Sequence, residues 1–217
     1  MAKIAVVLSG CGVYDGAEIY ESVLTLMRLE QKQANVQVFA PDIQQLHVIN
    51  HLTAEVAEGQ TRNVLEEAAR IVRGDIQALS QASANDFDAL IIPGGFGAAK
   101  NLSDFALAGS ELVVNAELLT FAKAMREVNK PIGLICIAPA MSAAICGEGV
   151  QCTIGNDADT AQAISETGAQ HIKCVVNEIC VDDKRKLVTT PAYMLAGSIN
   201  QAAEGIFNLV DKVLDLV

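Results

Sequence analysis

Cys136 stands in "GLICIAPA" (133–140), between an apolar run and an Ala/Pro-rich stretch. A strand ending at Ile135 and a helix opened by Pro139 would make Cys136 the turn residue, the geometry of a nucleophile elbow. The side chain is then expected to be exposed above the sheet, with helix N–H groups and a positive dipole end lowering the thiol pKa. A second segment, "DALIIPGG" (88–95), ends in two glycines. Gly94 and Gly95 let backbone approach a reacting oxygen, and the amides of Gly95 and Ile137 would form a two-donor oxyanion hole. On its own "PGG" is only a tight turn. A cysteine on a neighbouring strand end favours the chemical reading.

A thiol that handles carbonyls needs a proton carrier. His171 follows Gln170 at the start of a late strand and reads as structural or solvent-facing. His47 and His51, four apart in "HVINH", would share a helical face, but no cysteine or carboxylate adjoins them to complete a metal site. The better candidates are Glu18 and Glu21, which open the first helix beside "SGCG". Acids in a first turn also stabilise the helix dipole, so both carry an ordinary explanation as well. Being three apart, they share one helix face, and that face starts at the reactive edge.

These residues need a frame. "KIAVVLSG" (3–10) is a continuous aliphatic run ending in glycine, as in a buried parallel strand. A helix over 17–33 and a strand over 36–42 complete a crossover unit. Residues 43–88 form an excursion, a flap or interface, with an amphipathic helix at 61–74. A strand then a turn over 88–95, a helix within 111–130, a strand starting at Pro131, a helix continuing through 140–146, and short strands in "QCTI", "KCVVNEICVD" and "KLVTTP" follow. A long helix within 192–217 closes the chain. The expected fold is one domain over 1–217, a three-layer α/β/α sandwich of flavodoxin-like type around a mainly parallel central sheet. Such sheets collect ligands outside the carboxyl ends of their strands, where all three chemical segments lie.

Composition narrows the function classes. The chain of 217 residues is 51% hydrophobic but only 4% aromatic, so Ala, Val, Ile and Leu fill its core. A net charge of -11, with "DKRK" (183–186) as the longest basic cluster and a hairpin tip by pattern, argues against a nucleic-acid partner. No apolar stretch is long enough for a secretory signal or a membrane span, so no membrane partner is expected. The six cysteines lack paired C-x-x-C spacing and read as reduced thiols in the cytoplasm, without a metal. Cys11 reads as a packed loop thiol, and Cys146, Cys152, Cys174 and Cys180 as core.

The segments "LSGCGVYDGAEI" (8–19), "IIPGGFGAAKNLSDFA" (91–106), "GLICIAPAM" (133–141) and "VTTPAYML" (188–195) resemble the ElbB glyoxalase family. Its members are also described as isoprenoid-biosynthesis or sigma-cross-reacting proteins, in the PfpI-like branch of the class I glutamine amidotransferase-like superfamily. The likeness runs over essentially the whole chain, and "GGFGAAKNLS" is its specific string. It implies that Cys136 is the elbow cysteine and that Glu21, in "ESV" for Glu-x-Val, bonds the sulfur, with Glu18 the nearest rival. It further implies cofactor-free conversion of glyoxal to glycolate through a cysteine hemithioacetal, or a deglycase action that appears as such. A small aldehyde is the implied ligand and a homodimer the implied assembly. The chain departs from many relatives in having Gly155 and Asn156 where a histidine follows the elbow helix, and "TTPAY" in place of a late His-x-Glu. Both departures argue against glutaminase or protease chemistry. The alternative reading is non-enzymatic, with Cys136 as an oxidation sensor or the domain as a partner-binding module. The isoprenoid label finds no support in individual residues.

Overall fold

The N-terminal aliphatic run forms β1 (Lys3–Val7), whose last four residues are buried. In this computed structural model, which describes residues 1–217, β1 is an interior strand of the middle layer of a three-layer sandwich. It leads through α1 (Ile19–Gln31) to β2 (Asn35–Ala40), which pairs with β1 in parallel, Val7 opposite Phe39. A small hairpin, β3 (Ile49–Asn50) and β4 (Glu55–Val56), precedes α2 (Val64–Ile71) and the short β5 (Gln77–Ala78). Then come β6 (Ala89–Ile92), α3 (Phe96–Lys100), α4 (Phe105–Ala108), α5 (Ala116–Glu127) and β7 (Ile132–Ile135). The last third holds α6 (Ser142–Cys146), β8 (Gln151–Cys152), α7 (Ala158–Glu166) and β9 (Gln170–His171). It ends with β10 (Cys180–Asp182), β11 (Leu187–Thr190) and α8 (Ile199–Asp215).

Seven strands make the central sheet in the order β10-β11-β7-β6-β1-β2-β5, and only β10 runs antiparallel to its neighbour. Alternation along each strand feeds two apolar cores. Ala5, Val7, Leu90, Ile92, Ile132 and Leu134 point into one, and Ile4, Val6, Ala89 and Ile91 into the other. The second core is closed by α8, whose Ala202, Ile206, Leu209, Val210 and Val213 recur at helical spacing. On the surface Arg28 of α1 donates through Nε to Asp211 of α8 at 2.8 Å.

Two expectations change. The excursion at 43–88 is not only a flap, because it returns to the sheet as the edge strand β5. His47 and His51 do not share a helix face: the segment around them is extended, and His51 sits in the turn after β3. There its Nε2 accepts from Tyr14 N–H at 3.2 Å and its ring lies 5.0 Å from that of Tyr14. The Asp15 carboxylate accepts from Ile49 N–H at 2.7 Å. The excursion thus pins the loop that delivers the start of α1, which is how it bears on the site. "DKRK" does lie at the β10–β11 hairpin.

Candidate active site

β7 ends at Ile135, and the Cys136 amide makes one more ladder bond, donating to Thr190 O at 3.0 Å. Cys136 itself has φ +63, in the left-handed region that a Cβ disfavours. Such a residue stores about 1–3 kcal/mol and persists only where its surroundings hold it. The chain then turns through a 3-10 segment, Ala138–Met141, with Pro139 near its start, and enters α6. The sharp strand-to-helix turn expected at "CIAPA" is present.

Gly94 is what holds it. A Cβ there would overlap Cys136 Cβ and lie 2.8 Å from both Glu21 Oε2 and Ile135 O. The Gly94 amide donates to Glu21 Oε2 at 2.9 Å, and the Tyr193 amide donates to Glu21 Oε1 at 3.1 Å. Both carboxyl oxygens of this fully buried side chain therefore have fixed partners. The Glu21 carboxyl also lies against the Cys136 thiol, and the amides of Gly95 and Ile137 face the same sulfur. Glu21 is thus the acid at the thiol. Glu18 is the N-cap of α1, its Oε2 accepting from Glu21 N–H at 2.7 Å.

Gly94, expected where backbone closely approaches a reacting oxygen, has its N–H committed to Glu21, so what it contributes is the missing Cβ. One expectation needs correction. Cys136 was expected to stand exposed with a lowered pKa, but the residue is only 7% exposed. Burial pushes its thiol well up, the charge of Glu21 adds to this, and the Gly95 and Ile137 amides act in the opposite sense. Burial, followed by the charge of Glu18, also pushes the Glu21 carboxyl up to about 8. Two anions in contact in a buried site oppose each other, so the pair loses its protons one at a time.

This has a consequence for stability. A carboxyl raised from 4.5 to about 8 keeps its proton in the folded state while the unfolded chain has lost it. Its stabilising contribution is complete below about pH 4.5 and disappears as pH rises through about 8. Urea unfolding from pH 5 to 8 should show stability falling by up to ~1.4 kcal/mol per pH unit from this group, a slope that Glu21→Gln removes. An unchanged slope in that variant would refute the assignment.

The sulfur faces a cavity of ≈ 320 Å³ walled by Val13, Phe96, Ala99, Phe105, Ile137 and Met194, with Glu18, Thr160 and Tyr193 as its polar lining. No histidine lines it. His171 lies elsewhere, its Nε2 accepting from Ile154 N–H at 3.3 Å. Cys11 is half-buried, lines no part of the cavity, and has its pKa raised chiefly by burial. Cys152, Cys174 and Cys180 are buried and Cys146 half-buried, and all six thiols are free.

The residues missed in the sequence are Tyr193, which fixes Glu21, and the cavity walls Phe105, Thr160 and Met194. "TTPAYML" carried the signal for Tyr193. Ala192, directly after Pro191, has φ +43, and the Tyr193 amide that follows it donates to Glu21.

The DJ-1/PfpI family profile matches residues 7–196, which include both segments of the elbow. The chain belongs to the DJ-1/PfpI family. It is 48% identical to human glutamine amidotransferase-like class 1 domain-containing protein 3, mitochondrial, over 99% of this chain and 83% of that protein. It is 47% identical to the rat ES1 protein homolog, mitochondrial, over 99% and 84% of the two chains. Among solved structures, an Ehrlichia chaffeensis isoprenoid biosynthesis protein with an amidotransferase-like domain superposes with a TM-score of 0.92. That pair shares 33% identity over 100% of this chain and 99% of the other. The family includes glyoxalase and deglycase members. The relatives also correct the cytoplasmic expectation, since those from human and rat are named as mitochondrial proteins. That expectation rested on reading the cysteines as reduced thiols, and reduced thiols do not distinguish one reducing compartment from another.

Proposed function

We propose that this DJ-1/PfpI protein converts glyoxal, and small 2-oxoaldehydes generally, to the 2-hydroxy acid without a cofactor. The observation that carries the reading is the Glu21 carboxyl against the Cys136 thiol at an apolar cavity that no histidine lines. The reactive form is the pair with one proton removed. Its sulfur attacks one aldehyde carbon, a C–S bond forms, and the carbonyl oxygen takes a proton to give a hemithioacetal. Glu21 removes the remaining hydrogen of that carbon as a proton, leaving an enediol, and returns a proton to the neighbouring carbon. The first carbon is thereby oxidised to a thioester and the second reduced to an alcohol. Water cleaves the C–S bond, releasing glycolate and restoring the thiol. No electron leaves the substrate, so no external oxidant is required. The Gly95 and Ile137 amides would stabilise charge on the sulfur, and on oxygen as it develops.

Turnover in D₂O tests this route. Glycolate should accumulate with deuterium at C2, as a carboxyl that exchanges with solvent would deliver it, read by NMR. Product without deuterium would mean a direct hydride shift and remove Glu21 from that step. No glycolate at all would refute the reading.

A further inference from the structure

We infer that the cavity above Cys136 selects uncharged carbonyl compounds bearing an apolar substituent, aryl or branched alkyl, and excludes anions. This deepens the function proposed above, resting on it only for the identity of the reacting group. The first observation is size. A dry apolar cavity of about 150 Å³ suffices for a benzene ring, and this one offers ≈ 320 Å³ beside the sulfur. Glyoxal alone would leave most of the apolar wall without contacts, whereas a ring lodged against Phe96, Phe105 and Met194 would fill it.

The second observation is charge. The cavity lining contains no lysine, arginine or histidine, and its one carboxylate belongs to Glu18. The cation on the adjoining helix is already engaged: Lys100 donates to Tyr14 O at 2.9 Å and lies 5.2 Å from the Phe96 ring centroid, outside the lining. A ligand carboxylate would be desolvated here without a counter-ion and beside a carboxyl group. The same lack removes the anchor that the α-carboxylate of glutamine would require. A 2-oxo acid should therefore be a poor ligand and an aryl 2-oxoaldehyde a good one.

Acetophenone and benzoate have nearly the same shape and differ in charge, and neither is a 2-oxoaldehyde. Each is titrated against the folded protein while alkylation of Cys136 by iodoacetamide is followed by peptide mass spectrometry. Acetophenone should half-protect Cys136 at a concentration at least about tenfold lower than benzoate, and Glu18→Gln should shrink that ratio to about threefold or less. Loss of the α1 cap would slow or speed alkylation as a whole but leave the ratio unmoved, so the ratio separates charge selection from a structural effect. In turnover, phenylglyoxal should exceed glyoxal in kcat/KM by at least about tenfold.

Benzoate protecting as well as acetophenone, or glyoxal surpassing phenylglyoxal, would overturn the inference. Selective protection without turnover of any 2-oxoaldehyde would sustain the inference on ligand class and refute the proposed reaction. Turnover of glyoxal with equal protection by both probes would do the reverse.

Discussion

Gly94→Ala is expected to destabilise the protein by roughly 3 kcal/mol or more and to disrupt the thiol–carboxyl contact, although it adds a single methyl group. The reason is position, not backbone freedom. The new Cβ would overlap Cys136 Cβ and stand 2.8 Å from both Ile135 O and Glu21 Oε2. Ile135 O is part of the sheet, and the Glu21 oxygen is bonded to the Gly94 amide itself. No neighbour is the loose end of a flexible side chain, so either the 94–97 turn or the elbow must move. Moving the turn breaks Glu18 N–H to Gly94 O at 3.0 Å and Gly97 N–H to Gly16 O at 2.9 Å, which tie it to the start of α1. Gly109→Ala is the control. Gly109 has φ +57 and ψ -128, where any Cβ is disfavoured, but nothing lies within 4 Å of the added atom, so only backbone strain of roughly 1–3 kcal/mol is expected there. Urea midpoints at constant m-value measure both. A Gly94→Ala loss no larger than the Gly109→Ala loss would show that the glycine does not support the elbow.

The frame of this site was legible because its strands are buried on both faces. Runs such as "KIAVVLSG" and "DALIIPGG" have no other stable place than the middle of a covered parallel sheet, and the strands found, Lys3–Val7 and Ala89–Ile92, lie within them. The elbow was legible for a related reason: a cysteine between such a strand and a proline-led helix must occupy the turn. Two properties of Cys136 were not legible. Whether its sulfur is open or enclosed depends on what covers the strand end, and the cover comes from α3, α4 and the Ala192–Met194 turn, far apart in sequence. The thiol pKa depends on the same cover, because desolvation outweighs the amides that face the sulfur. The choice between Glu18 and Glu21 was also hidden. Both lie on the face of α1 that meets the elbow, and only the helix start at Ile19 makes Glu18 the cap and leaves Glu21 one turn in, at the thiol.

Cys136→Ser should lower kcat for glyoxal by at least about 10³-fold, and Glu21→Gln by about 10²-fold or more. A hydroxyl beside a carboxyl pushed up to about 8 has no group basic enough to ionise it, and the cavity lining holds no histidine to take over. The loss at Glu21 has two sources. The proton carrier disappears, and the amide also fits poorly, because both Glu21 oxygens accept backbone N–H groups from Gly94 and Tyr193. A glutamine must turn its NH₂ toward one of those donors, so some stability should be lost as well, ~1–3 kcal/mol for the donor left unpaired. Activity measured on the folded fraction separates the two effects. The decisive comparison is the double variant. If Glu21 acts only by moving protons for a substrate held on Cys136, the pair forms one catalytic unit, and Cys136→Ser with Glu21→Gln should be no slower than Cys136→Ser alone. Losses that multiplied instead would mean that Glu21 accelerates turnover without the thioether link, and the hemithioacetal route would have to be abandoned. The pH profile adds an independent constraint. In the unaltered protein kcat/KM should climb with pH up to about 8, where the pair gives up its first proton. A profile already flat from pH 6 would place the reactive anion elsewhere.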